Sequence, residues 1–249
     1  MSQKSLTVII PVYNEEQIIT SALDRCIDAL KRDFDDYELI LIDDGSRDNS
    51  ISILQEYERK HPKIKVIQNY VNLNQGVSIQ RGLAIATKDY VVHNGIDLPL
   101  NPYEMKDLIE YMDDADLLIL QRQVYSGATL WRKITSKGNI FIRKILFFRL
   151  SRGVRDMNFT QIYRREIISQ ILPLAKSPAF TTPEMFFRAK CNKMKIKTKW
   201  VTFEARPVGK GALGKLHDIL WSVYDMIRFR YLLLLGIKKH GKPQTKYNF

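Results

Sequence analysis

Residues 6–50, "LTVIIPVYNEEQIITSALDRCIDALKRDFDDYELILIDDGSRDNS", decide the fold. Leu6–Val12 reads as a buried strand, Glu15–Lys31 as a helix, and Tyr37–Asp43 as a second strand that ends in carboxylates before Gly45. A strand, a helix of this length and another strand form one βαβ crossover, so the two strands should lie parallel. The same alternation continues outward through a helix over Asn49–Lys60, a strand "IKVIQN", a helix over Gln75–Thr87 and a strand "DYVVH". This pattern predicts an α/β protein with a mostly parallel, doubly wound sheet. Ligands of such sheets sit beyond the carboxyl ends of the strands. The unusual polar residues fall there, at Tyr13–Glu15, Asp43–Asp44, Asn72–Gln75 and Asn94–Asp97.

The second half is less regular. It is expected to hold a helix over Pro102–Tyr111, a strand "ADLLILQR", a basic apolar helix over residues 129–149 and a short strand in "FTQIYRR". A helix over Pro183–Asn192, an alternating strand in "MKIKTKWVTFEAR", a glycine-rich loop "RPVGKGALGK" and a final helix over Leu216–Leu235 follow.

Composition limits the function. With 45% hydrophobic and 27% charged residues over 249 positions, the chain can bury a core and is not disordered. The net charge of +12 is concentrated: residues 131–165 carry ten Lys/Arg against one Asp, and residues 209–249 carry eight against two. Such asymmetry points to phosphate ligands, an anionic membrane face or nucleic acid, with solvated helix faces as the plain alternative. Cys26 and Cys191 have no CxxC partner, which argues against a zinc knuckle or a disulfide framework. "MSQKSLTVIIPV" does not read as a signal peptide, and "YLLLLGI" is far shorter than a membrane span. The expected location is therefore cytoplasmic, with peripheral attachment at the inner face of the membrane as an added reading.

Singly, each polar segment is ambiguous. The carboxylates and serines of "LIDDGSRDNS" can cap a helix or receive hydrogen bonds from a base or sugar. Asn14 can cap the following helix, which leaves Tyr13 to stack on a flat ligand. Together, "VIIPVYNEE", "LILIDDGSRDNS", "NLNQG" and "DYVVHNGIDLPLNP", in this order and spacing, resemble the family-2 inverting glycosyltransferases of GT-A fold. Within them the likeness is to the polyprenyl (dolichol) phosphate sugar synthases, and it covers roughly residues 5–215. It implies a GT-A domain over residues 1–215, with a Rossmann-like mixed sheet; beyond it, apolar residues at helical spacing predict a C-terminal amphipathic helix and a basic tail over residues 216–249.

The resemblance implies a nucleotide-sugar site. Pro11, Tyr13 and Glu15 match positions that line the nucleotide pocket, and Ile42 and Asp44 match positions that hold the base. Arg122 matches an arginine that faces the diphosphate, with a strand-end salt bridge as the alternative. Arg206 matches an arginine of a mobile loop that clamps the diphosphate; a planar guanidinium suits phosphate oxygens. The family usually carries Asp-x-Asp at residues 95–97, and here Gly95 replaces the first carboxylate. Asp97 alone is expected to hold Mg²⁺ or Mn²⁺, with Asn94 as a further oxygen donor, or else to cap the turn before Pro99. Whether the metal is required stays open. In the mobile loop a family lysine is replaced by Ala212, with Lys210 and Lys215 nearby. The segment before "YRR" is one residue short and lacks its glycine, and Gln161 and Tyr163 are expected on the acceptor side.

Inverting transfer is a single displacement at the anomeric carbon, and charge on the leaving diphosphate has to be neutralised. Glu184 is the candidate base, with Asp156 as a weaker one; the alternative for Glu184 is a first-turn carboxylate that favours the helix N-terminus. The expected donor is a nucleoside diphosphate sugar. The expected acceptor is lipid-linked, a polyprenyl phosphate or an envelope glycan, or another saccharide. The basic apolar segments suit an anionic membrane interface, or packing on the domain or on a second subunit. Oligomeric state is left open. The competing function is a nucleotide-sugar-binding or regulatory subunit that has lost catalysis, favoured by Gly95. A basic nucleic-acid-binding protein is the third class, but no nucleic-acid-binding motif occurs and no such partner is expected.

Overall fold

A computed structural model describes residues 4–122, 130–202 and 216–236. The strands are β1 (Leu6–Val12), β2 (Tyr37–Asp43), β3 (Ile64–Gln68), β4 (Tyr90–His93), β5 (Leu117–Arg122), β6 (Gln161–Arg164) and β7 (Ile196–Val201). The helices are α1 (Ile19–Asp33), α2 (Ser50–Lys60), α3 (Gln75–Ile85), α4 (Met105–Glu110), α5 (Leu130–Leu146), α6 (Ile168–Ile171), α7 (Pro178–Cys191) and α8 (Leu216–Leu234).

Among the described residues the strands form one sheet in the order β3-β2-β1-β4-β6-β5-β7. β1 pairs in parallel with β2 and β4, β2 with β3, and β5 with β7. β6 runs antiparallel to both β4 and β5, so the sheet is mixed. β1 is central and every residue of it is buried, as a strand covered on both faces requires. Its side chains divide by the period of two: Leu6, Val8, Ile10 and Val12 enter the core beneath α1, while Ile9 enters the core beneath α3. The outer strand β7 is only half-buried and carries Lys197 and Lys199, charges that discourage further strand pairing.

The second core is aromatic. Phe147 stacks on Phe187 at 4.6 Å and on Phe180 at 5.7 Å, and Phe229 of α8 lies 5.7 Å from Phe147. Such pairs add about 0.5–1.5 kcal/mol each beyond the area they bury. α8 is fixed further by Asp225, whose Oδ2 accepts from the backbone N–H groups of Lys176 (3.1 Å) and Ser177 (2.9 Å). Ser177 precedes α7 without capping it by its own side chain, so the Asp225 carboxylate meets the positive end of that helix. The inner face of α8 thus joins the same core as α5 and α7.

Several helix boundaries differ from the sequence expectation, and α6 was not expected; three differences at helix starts have a local cause. α1 starts at Ile19 and not at Glu15, because Asn14 has φ +52° and the chain turns before the helix begins. α7 starts at Pro178, and Pro183 lies inside it. Pro178 sits at the first turn, where a missing N–H costs nothing; Pro183 forgoes one bond and buried neighbours hold the helix. Residues 102–104 form a 3₁₀ turn ahead of α4.

Candidate active site

The carboxyl ends of β1, β2, β3, β4, β5 and β7 point to one edge of the sheet, and the reversed β6 brings its first residue there. The register fixes this: Val12 pairs with Asp43, Asp43 with Gln68, Ile9 with His93, and Ile119 with Gln161. Tyr13, Glu15, Asp44, Asp97 and Arg122 therefore share a rim. Asp44 and Asp97 follow strands separated by β1, about 10 Å apart across the sheet. Arg206, Ala212, Lys210, Lys215 and the basic tail lie outside the described residues.

The loops after β1 and β2 are laced together. Asn14 donates its N–H to Ser46 Oγ (3.0 Å), and its Oδ1 accepts from Arg47 N (2.8 Å). Glu15 N donates to Ser50 Oγ (3.1 Å), Glu16 N to Asp48 Oδ2 (3.2 Å), and Glu16 Oε2 accepts from Asn49 N (2.9 Å). Neither Asn14 nor Asn49 caps a helix with its side chain. The polar residues that read as caps are instead ties between two loops. Tyr13 stands clear of them, 38% exposed at the rim. Pro11 is buried and Ile42 is fully buried against α3, where its Cδ1 limits the space beside Gly82.

Asp44 is buried beside them. Its Oδ1 accepts from Asn69 Nδ2 (2.8 Å) and from Leu73 N (2.9 Å), and Asn69 also donates to Ser78 Oγ at 3.0 Å. Arg81 donates to Asn69 Oδ1 and orients that amide. Burial pushes the Asp44 carboxyl above its ordinary value, against the pull of these donors. Gly45 makes the approach feasible. It has φ +74°, and a Cβ there would lie 2.5 Å from the Val71 carbonyl carbon. Asn69 and Arg81 were missed by sequence reading; an asparagine directly after an apolar strand was the available signal.

The 94–100 loop is tied together by the Asn94 side chain. Asn94 Oδ1 accepts from Gly95 N (3.1 Å) and Leu100 N (3.3 Å), and its Nδ2 donates to Leu100 O (2.8 Å). The amide oxygen expected as a metal donor is therefore spent within the loop. Ile96, Leu98 and Leu100 anchor the loop in the core, and Leu98 is held at φ +46°, an unusual value for a branched apolar residue. Asp97 is half-buried, and its carboxylate has no hydrogen-bond or ion-pair partner among the described residues. Among those residues no three His, Cys, Asp or Glu side chains are grouped to hold a metal. One unpartnered carboxylate at the rim still fits a hard divalent ion that takes its remaining oxygens from a diphosphate and water.

Arg122 Nε donates to Asp156 Oδ2 at 2.5 Å, and the guanidinium lies 5.0 Å over the Phe159 ring. Arg143, on α5, is buried nearby. Its Nη1 reaches Asn158 Oδ1 at 3.4 Å, its Nε has no hydrogen-bond partner among the described residues, and burial lowers its pKa against the attraction of Asp156. The candidate base Asp156 is thus paired with Arg122 and accepts from Asn158 N at 3.2 Å, with the Arg143 charge acting on it through space.

Gln161 and Tyr163 do not reach a surface; both are fully buried. Gln161 Nε2 donates to Met157 O (3.1 Å) and Thr182 O (3.2 Å), and Tyr163 Oη donates to Gln161 Oε1 at 3.0 Å. They brace α7 from beneath, with burial raising the Tyr163 pKa well above its ordinary value. His93 stacks on Tyr163 with centroids 6.2 Å apart, and its Nδ1 is buried without a hydrogen-bond partner among the described residues. Burial lowers its pKa to about 4, so it is neutral.

Glu184 is not in the first turn of α7. It is 1% exposed in the second turn and engaged on both oxygens. Oε1 accepts from Leu174 N (3.0 Å) and from Arg188 Nε (2.8 Å) and Nη2 (2.6 Å), and Oε2 accepts from Ala175 N (2.8 Å). Burial raises its pKa, opposed by Arg188 and these backbone donors. The i, i+4 spacing of Glu184 and Arg188 was the visible sign of this pair.

Residues 7–172 match the family model described as Glycosyl transferase family 2. An uncharacterized glycosyltransferase of Bacillus subtilis, YkcC, is 28% identical over 153 residues, 61% of this chain and 45% of the relative. An undecaprenyl-phosphate 4-deoxy-4-formamido-L-arabinose transferase of Pectobacterium atrosepticum is 31% identical over 173 residues, 68% of this chain and 51% of the relative. The chain spans about half the length of the curated relatives it matches. Among solved structures, glucosyl-3-phosphoglycerate synthase from Mycobacterium tuberculosis, in complex with Mn²⁺, UDP and glucosyl-3-phosphoglycerate, superposes with a TM-score of 0.64 at 18% identity. That alignment covers 94% of this chain and 81% of the synthase. The likeness shows the fold, the GT-A arrangement that the motifs imply.

Proposed function

Because the chain belongs to glycosyl transferase family 2, we propose that it moves a sugar from a nucleoside diphosphate sugar to a lipid-linked acceptor, with inversion. The observation that carries this reading is the single rim holding Tyr13, Asp44, Asp97 and Arg122 at the carboxyl ends of β1, β2, β4 and β5. Asp44, fixed by Asn69 and Leu73, accepts a hydrogen bond from the base. Tyr13 stacks on the base, and Glu15, Pro11 and Ile42 complete that pocket. Arg122, joined by Arg206, faces the diphosphate.

Asp97 is the protein's carboxylate for Mg²⁺ or Mn²⁺. An ion there supplies Lewis-acid neutralisation of the leaving diphosphate. The acceptor oxygen attacks the anomeric carbon as the bond to the diphosphate oxygen breaks, and the nucleoside diphosphate departs with that electron pair.

The carboxylates bear on the acceptor. Glu184 is engaged on both oxygens and Asp156 is held by Arg122. An acceptor that arrives as an anion needs no base, and a polyprenyl phosphate is such an acceptor. The relatives named as undecaprenyl-phosphate sugar transferases support the same class. Glu184 then acts as a brace for the 172–177 segment, and Gln161 and Tyr163 support the acceptor side from beneath.

A lipid acceptor requires a lipid surface. Among the described residues no helix is long and apolar enough to cross a membrane. However, α8 exposes Leu220, Tyr224, Ile227, Tyr231 and Leu234 in one stripe, and α5 and the turn after it expose Phe141, Ile145 and Phe148. The exposed charges of residues 137–152 and 219–236 are all cationic: Lys137, Lys144, Arg149, Arg152, Arg228 and Arg230. This combination suits peripheral attachment to an anionic bilayer at its cytoplasmic face.

The test is a transfer assay over a panel of UDP- and GDP-sugars with undecaprenyl phosphate in vesicles, run on the wild type and on Asp97→Ala. The reading expects lipid-linked product with at least one donor and its loss in the variant. Nucleotide binding without transfer or donor hydrolysis across the panel would favour the regulatory subunit that Gly95 suggests.

A further inference from the structure

Gly95 is not required by its backbone. The described glycines with positive φ are Gly45, Gly153 and Gly236, and Gly95 is not among them. A Cβ built on it meets one obstacle, Asp97 Oδ1; its next neighbour, Pro99 Cδ, lies at an ordinary 3.4 Å. The Asp97 carboxylate thus lies folded back over Gly95, in the space that any side chain at residue 95 would take.

The backbone on either side is fixed by Asn94, by the Leu98 N to Gly95 O bond at 3.0 Å, and by the buried side chains of Ile96, Leu98 and Leu100. The Asp97 side chain itself is unpartnered among the described residues. Rotation of Asp97 is the motion that this loop permits.

We propose that Gly95 makes Asp97 a two-position metal ligand, whose carboxylate either lies folded over Gly95 or turns outward to the ion. This rests on the reading of Asp97 as the metal carboxylate. The folded position competes with the ion, so the apparent affinity falls by the fraction of time spent turned outward. A single carboxylate with this handicap holds a divalent ion poorly alone. Ion capture then awaits the diphosphate, which contributes the other oxygens. The glycine that stands where a carboxylate ligand is expected is what makes metal binding depend on donor binding.

The experiment is Mn²⁺ titration, followed by the electron paramagnetic resonance of the free ion, with and without UDP. It uses the full chain as wild type, Gly95→Ala and Asp97→Ala. The methyl group of Gly95→Ala excludes the folded position without demanding a strained backbone. It should tighten Mn²⁺ binding by about 3- to 10-fold, the factor expected when the folded position holds roughly 70–90% of the population. Unchanged or weaker binding in folded Gly95→Ala overturns the two-position ligand. Asp97→Ala separates the two claims: wild-type Mn²⁺ affinity in that variant removes the metal role itself. Loss of binding there, with no change in Gly95→Ala, removes only the switch. If Gly95→Ala does not fold, a metal-free crystal structure of the wild type decides the matter. Oδ1 in contact with Gly95 Cα supports the proposal, and a carboxylate turned outward contradicts it.

Discussion

Arg122 and Asp156 form an ion pair at the rim, with Nε donating to Oδ2 at 2.5 Å. The pair holds the guanidinium over Phe159 and orients it before any ligand arrives. If Arg122 faces the diphosphate, Arg122→Ala removes charge-assisted hydrogen bonds worth about 1.5–3 kcal/mol, or roughly 10- to 150-fold in UDP affinity. Isothermal titration checks this; unaltered affinity would leave Arg122 as a strand-end bridge.

Glu184 and Arg188 are buried together, and removal of Glu184 leaves the buried Arg188 charge without its carboxylate. Glu184→Ala is expected to cost about 3–5 kcal/mol in urea unfolding. Glu184→Gln should lower stability while the folded fraction keeps its turnover to within about threefold. Full stability combined with turnover reduced more than a hundredfold would restore Glu184 as the base.

The stability of the chain should depend on His93. Its folded pKa is about 4, below the ordinary 6.5, because burial disfavours the imidazolium. Between pH 4 and 6.5 the unfolded chain binds a proton that the folded chain refuses. Stability contributed by neutral His93 is therefore present above pH 6.5 and is lost as pH falls toward 4, by about 3 kcal/mol in all. His93→Phe keeps a ring against Tyr163 and should flatten this part of the profile. An identical pH slope in wild type and variant would assign the dependence elsewhere.

Membrane attachment is testable without touching the core. Lys144, Arg228 and Arg230 are exposed, and each cation near an anionic surface contributes about 1 kcal/mol. Changing all three to glutamine should weaken partitioning onto vesicles rich in phosphatidylglycerol by roughly 100-fold. Tyr224→Ser with Tyr231→Ser should weaken it further, with little effect on melting temperature. Equal partitioning of all forms would place the apolar stripe of α8 against something other than lipid.

Much of the architecture can be read along the chain because apolar runs such as Leu6–Val12 and Tyr37–Asp43 end abruptly in polar residues. Strand direction cannot. Nothing in "QIYR" shows that β6 runs against its neighbours; that follows from β6 beginning at the same edge where β5 ends. Pro183 looks like a helix start until Pro178 is seen to occupy the first turn. At the site, Asp44, Asp97 and Arg122 are legible because they stand at strand ends. The engagement of Glu184 is not, since its partners Leu174 and Ala175 offer backbone N–H groups that no side-chain pattern reveals. Gln161 and Tyr163 have polar atoms that suggest a surface, yet each satisfies them inside the core.

The central claim is that the carboxyl edge of β1, β2, β4 and β5 holds a nucleoside diphosphate. A crystal structure with Mn²⁺ and the UDP- or GDP-sugar that binds tightest tests it most directly. The account predicts the base against Tyr13 and Asp44, the anomalous signal of manganese beside Asp97, and the phosphates facing Arg122. A nucleotide bound at another edge, with Asp44 and Asp97 untouched, would contradict it.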